Sequence, residues 1–134
     1  MGYSKKDLKN ILENVSTIAL IGASSNQDRD SFKVMKYLVE KGYKVFPVNP
    51  NEIKNKILNI ECFPNLSSIP KKIDMVDIFR SKEFVMEITQ DAIKADVKVI
   101  WTQEGVIDKN SQDLAKKAGI IFVMDECPKK ILSN

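Results

Sequence analysis

Thr17-Ile18-Ala19-Leu20-Ile21-Gly22-Ala23-Ser24-Ser25 is the stretch that decides the fold. Residues 17 to 21 form a continuous β-prone run that ends at a glycine. A run of that kind reads as a strand buried on both faces, as in a parallel sheet. Gly22 lets the backbone turn tightly, and Ala23, Ser24 and Ser25 keep the turn small. A polar segment from Ser24 to Asp30 follows. Phe32, Met35, Leu38 and Val39 then mark the apolar stripe of a helix, and Gly42 sits where a left-handed stop belongs.

The same unit recurs in both directions. Upstream, Leu8, Ile11, Leu12 and Val15 fall at helical spacing and predict a helix over 4–14. Downstream, strands are expected at 43–48, 75–79, 97–101 and 120–124. Helices are expected through Phe84, Val85, Ile88, Ala92 and Ile93, and over 108–118 with a stop at Gly119. Between 51 and 72 the pattern is irregular, with a short strand at 60–63 and a helical turn at 65–70. Strands that alternate with helices predict an α/β fold: a doubly wound, mainly parallel five-stranded sheet with helices on both faces. Residues 1–134 are expected to form one domain, with the helix of residues 1–15 packed on it.

The composition excludes several functions. The chain has 134 residues, 43% of them hydrophobic and 29% charged, so it can build an ordinary core. No apolar run approaches a membrane span, and the first residues lack a signal-peptide core. A cytoplasmic protein is expected. The net charge of +3 is too mild and too evenly spread for nucleic-acid binding. There is no histidine, which removes Ser-His and Cys-His pairs and His-bound zinc. Two distant cysteines, Cys62 and Cys127, do not make a metal site, and none is expected.

In an open parallel sheet the ligand crevice lies beyond the carboxyl ends of the strands, where strand order reverses. The residues just after the strands are therefore the candidates: Gly22-Ala23-Ser24-Ser25, Asn49-Pro50-Asn51, Phe79-Arg80-Ser81, Thr102-Gln103-Glu104-Gly105 and Asp125-Glu126-Cys127-Pro128. The first loop suits a phosphate, because the next helix points its positive end at it and Ser24, Ser25 and Ser31 add hydroxyls. Only Arg29 and Arg80 of the 21 basic residues are arginine, and both fall in crevice loops. Arginine's planar fork suits phosphate oxygens. A nicotinamide dinucleotide fits less well. Ser24 and Gln27 replace the second and third glycines of G-x-G-x-x-G, and the second strand ends in Val48-Asn49-Pro50 without an acid for the ribose.

The segments 18–24, 45–50, 74–80, 101–105 and 124–128, in that order and at that spacing, resemble the stand-alone CoA-binding domain proteins. These are similar in turn to the N-terminal CoA-binding domain of the succinyl-CoA synthetase α-subunit. The resemblance implies a Rossmann-like fold and a coenzyme A site. In it Gly22, Ala23, Ser24 and Ser25 hold phosphate, and Asn49 and Pro50 border the adenosine end. Phe79, Arg80, Gln103, Glu104 and Gly105 complete the site, and Arg29 and Ser31 match family positions at the helix start. Ser81 and Glu126 depart from the family pattern, which often has basic residues there.

The synthetases use a phosphorylated histidine from another domain, and this chain has none, so no catalytic residue is assigned. Cys127, at the crevice rim, reads as a packed or idle thiol more readily than as a partner for the CoA thiol. The expected function is a non-catalytic module that binds CoA or an acyl-CoA as carrier, sensor or partner. An NAD(P)-binding oxidoreductase and a subunit of a split acyl-CoA synthetase are the alternatives. A homodimer or an unidentified protein partner is left open, and neither nucleic acid nor membrane is expected.

Overall fold

A computed structural model describes residues 2–133; Met1 and Asn134, the two ends of the expected domain, lie outside the described residues. The elements follow in the order α1 Lys5–Glu13, β1 Thr17–Ile21, α2 Asp30–Glu40, β2 Lys44–Val48, β3 Lys56–Ile57, β4 Ile60–Glu61, β5 Met75–Ile78, α3 Val85–Lys94, β6 Val99–Thr102, α4 Lys109–Lys117, β7 Ile121–Val123 and α5 Pro128–Leu132. Five strands form one sheet in the order β2-β1-β5-β6-β7, and every pairing in it is parallel. Counted within that sheet alone, the order is 2-1-3-4-5, so it reverses between β1 and β5. The loops after Ile21 and Ile78 therefore flank the switch point of a Rossmann-like sheet.

Alternation along the strands builds a core on each face. Ile18 and Leu20 of β1 join Leu8 and Leu12 of α1, Met35 and Leu38 of α2, and Ile131 of α5. Ala19 and Ile21 point the other way and join Val85 and Ala92 of α3 and Ala115 of α4. The two sets together explain why β1 reads as an uninterrupted apolar run. At the opposite end of the sheet Asp74 ties the strand starts together: the Ser16 amide donates to its Oδ2 at 2.8 Å, and the Thr17 hydroxyl accepts from its amide at 2.8 Å.

Two features lie outside the expected pattern. The β2–β5 connection holds an antiparallel hairpin, β3–β4, where one short strand was expected. Its turn residues Leu58 and Asn59 both have positive φ, at 51° and 64°. Such turns favour Asn-Gly, and Leu-Asn carries no such signal. Phe63 then runs beside β2, donating to Pro47 O and accepting from Asn49 N, each at 2.9 Å. A 3₁₀ turn, Leu66–Ser68, matches the expected helical turn. The second feature is α5, where Pro128 occupies the first turn and its missing N–H costs nothing. Among the described residues no helix is long and apolar enough to cross a membrane.

Candidate functional site

Gly22 stands at φ 91°, and a Cβ there would lie 2.4 Å from Phe79 O. The ends of β1 and β5 are thus pressed together, and only glycine fits between them. The amides of Gly22 and Ala23 both donate to Val48 O, at 2.9 and 3.3 Å. They extend the sheet and leave no N–H for a ligand. Asn49 fastens the same corner. Its Nδ2 donates to Ala23 O at 2.8 Å and its Oδ1 accepts from Asn51 N at 2.9 Å.

Above this corner lies a cleft of about 590 Å³. It brings together nine of the thirteen predicted residues: Gly22, Ala23, Ser24, Arg29, Ser31, Asn49, Pro50, Phe79 and Arg80. Its floor is the start of α2, which has no side-chain cap. The backbone N–H groups of Ser24, Asp30 and Ser31 carry no hydrogen bond within the described residues. These uncapped donors and the helix dipole favour negative charge at this end of α2, and both arginines line the same cleft. The Arg80 guanidinium also stacks on Phe84, 3.9 Å from the ring centroid. That stack sets its direction at the cleft wall. Asp28 and Asp30 line the cleft too, so the site is positive by helix end and arginine rather than throughout.

Ser25 does not line this cleft. Its amide donates to Glu52 Oε2 at 2.7 Å and its hydroxyl to Oε1 at 2.9 Å. The Ser25 amide, followed by Asn55, holds the Glu52 carboxyl below its usual range. In this arrangement a carboxylate already occupies the donors expected for a phosphate. Glu52 gives no motif in the sequence; only the β2–β5 connection carries it to Ser25.

Gln103 and Glu104 line a second cavity of about 400 Å³. It lies on the α2 and α5 side of the strand ends and shares Asp30 and Phe79 with the cleft. Lys33, Val34, Cys127, Lys129 and Lys130 complete much of its wall. Lys130 Nζ donates to Glu104 Oε1 at 2.8 Å, which fastens α5 to the loop after β6. Gly105 lines neither cavity; its amide donates to Asp125 Oδ1 at 2.6 Å. Trp101 is fully buried and donates to Glu126 O at 2.8 Å, so it is a packing residue. Cys62 is buried and Cys127 half-buried, both as free thiols.

At the switch point a cleft floored by the open start of α2 thus adjoins a smaller cavity, with Asp30 and Phe79 lining both. A model of the CoA binding domain matches residues 16–133 of the chain. The chain belongs to the CoA-binding domain family. It is 32% identical over 126 residues to the uncharacterized protein YneT of Bacillus subtilis, covering 94% of this chain and 92% of that one. It is 32% identical over 130 residues to acetate–CoA ligase (ADP-forming) II of Archaeoglobus fulgidus, covering 88% of this chain but 19% of the ligase. This CoA-binding domain thus spans about a fifth of that ligase's length. Among solved structures, a hypothetical protein from Pyrococcus horikoshii superposes with a TM-score of 0.93 at 38% identity, covering 98% of this chain and 92% of the other. A Thermus thermophilus protein superposes with a TM-score of 0.91 at 27% identity, covering 98% of each chain.

Proposed function

We propose that residues 1–134 act as one domain that binds coenzyme A or an acyl-CoA without transforming it, as a carrier, sensor or partner module. The observation that carries this reading is the cleft at the switch point, where the uncapped start of α2 meets Arg29 and Arg80. CoA presents three phosphate groups and a long amide-bearing arm. The cleft offers donors for the phosphates, through Ser24, Ser31, Arg29 and Arg80. Asn49 and Pro50 border the adenosine end. The side cavity beyond Phe79, walled by Gln103 and Glu104, has room for the arm.

Asn49 speaks against a nicotinamide dinucleotide. That site needs an acceptor for a ribose hydroxyl at the end of β2. Asn49 brings no carboxylate there, and its amide is held towards the protein by Ala23 O and Asn51 N. A separate subunit of an acyl-CoA synthetase is the second reading, favoured by the likeness to one segment of the acetate–CoA ligase. The test is calorimetric titration with CoA, acetyl-CoA, NAD and NADP. Binding of CoA or acetyl-CoA with no heat from NAD or NADP is expected. Binding of NAD without CoA sinks the reading. Copurification of a ligase subunit from native lysate decides for the second reading over an independent module.

A further inference from the structure

Asp77 sits inside the sheet, paired in register with Leu20 of β1 and Trp101 of β6. It is fully buried, and no ion pair reaches it among the described residues. Its side chain has one hydrogen bond among the described residues, from Gln103, whose Nε2 donates to Oδ1. Two buried atoms of this couple lack partners: Asp77 Oδ2 and Gln103 Oε1. An ionised carboxylate only accepts, so it leaves both orphaned. A carboxylic acid protonated on Oδ2 donates one hydrogen bond, and Gln103 Oε1 is the acceptor waiting for it. A bond between these two orphans would satisfy both and close the couple as a ring of two hydrogen bonds.

We propose that Asp77 and Gln103 form this neutral acid–amide pair, and that the pair positions Gln103 so that its second N–H is offered to a carbonyl on the arm of a bound acyl-CoA in the side cavity. The ligand half rests on the function proposed above; the pair itself does not. Burial drives the Asp77 carboxyl up to about 8, with the Gln103 hydrogen bond acting the other way. The charged and titratable groups around the cavity are Asp30 and Lys33 on α2, Glu104 after β6, and Cys127, Lys129 and Lys130 at α5. None of them contributes to the shift, which comes from burial and Gln103 alone. Asp77 is a positioning residue, since it acts through Gln103.

The decisive variant is Asp77→Asn. An asparagine amide can close the same ring with Gln103 at any pH, so it imitates the protonated acid. Carboxyl-carbon NMR of the ligand-free protein, assigned by the signal lost in Asp77→Asn, is expected to show Asp77 protonated at neutral pH and titrating near 8. A carboxylate already ionised in mild acid overturns the pair. Acetyl-CoA then reports the ligand half, because it has no thiol to titrate. The unaltered protein is expected to lose about fivefold in affinity between roughly pH 7 and 9, and Asp77→Asn to keep its affinity throughout. Gln103→Met is expected to lose about the same factor at neutral pH. Undiminished binding by Gln103→Met, or an Asp77→Asn variant that still loses affinity with pH, overturns the positioning role. If the unaltered protein binds neither CoA nor acetyl-CoA, the functional reading falls; if it binds CoA but not acetyl-CoA, the positioning role falls; the NMR titration decides the pair in either case.

Discussion

Gly22 meets two demands at once. It holds a positive φ and leaves no room for a Cβ beside Phe79 O. Because the obstacle is backbone, it cannot swing aside. Gly22→Ala is expected to destabilise the fold by about 2 kcal/mol or more, measured by urea unfolding, from strain and clash together. An unchanged midpoint would show that the β1 and β5 ends part easily. This role was legible in the sequence, because a glycine after a buried strand has few other uses. The arginines were legible too, by their scarcity among 21 basic residues and their place after strands. Arg29→Ala and Arg80→Ala are each expected to weaken CoA binding about tenfold in calorimetry, with a smaller salt dependence, as befits a lost charge-assisted bond to phosphate. Equal binding by both variants would move the phosphates elsewhere. Asp77 was hidden in plain view. It interrupts an apolar strand, but its state depends on Gln103, and nothing local links the two.

At the scale of elements, strand and helix periodicity located every member of the main sheet and four helices. The hairpin β3–β4 escaped because its turn uses Leu58 and Asn59 in conformations that usually ask for glycine. The helix α5 escaped because five residues are too few to show a period. These gaps explain the incomplete site. The β2–β5 connection delivers Glu52 to Ser25, and α5 supplies part of the wall of the side cavity that Gln103 and Glu104 line. The Glu52 contact carries its own prediction. A carboxylate beside an anion cleft repels phosphate and ties up two donors. Glu52→Gln removes the charge while keeping the shape, and it is expected to tighten CoA binding about threefold at low salt. Weaker binding in that variant would mean that the contact shapes the loop for the ligand and that its repulsion is minor.

At the scale of the whole molecule, the carboxyls of Asp74, just before β5, and of Asp77, within it, set opposite slopes of stability against pH. Asp74 is partly buried, which works against ionisation, but the amides of Ser16 and Thr17 and the charge of Lys98 outweigh that and hold its carboxyl low. Its contribution is therefore present above the unfolded value of 3.8 and is lost as pH falls through the lower folded value. Asp77 has the reverse sign. Its folded value near 8 exceeds the unfolded 3.8, so between them the native state holds a proton that the unfolded chain has released. Stability must then decline as pH rises across that window and level off above it. Trp101, the only tryptophan, is fully buried beside Asp77 in the register, so its fluorescence follows unfolding at the place concerned. Urea melts followed by this signal are expected to show Asp77→Asn more stable than the unaltered protein at pH 8, by an amount of the order of a few kcal/mol, with the difference shrinking towards pH 4. The acid limb set by Asp74 should be the same in both proteins. A variant that is less stable at pH 8 would mean that the sheet holds a carboxylate at its centre, and the neutral pair with Gln103 would have to be abandoned.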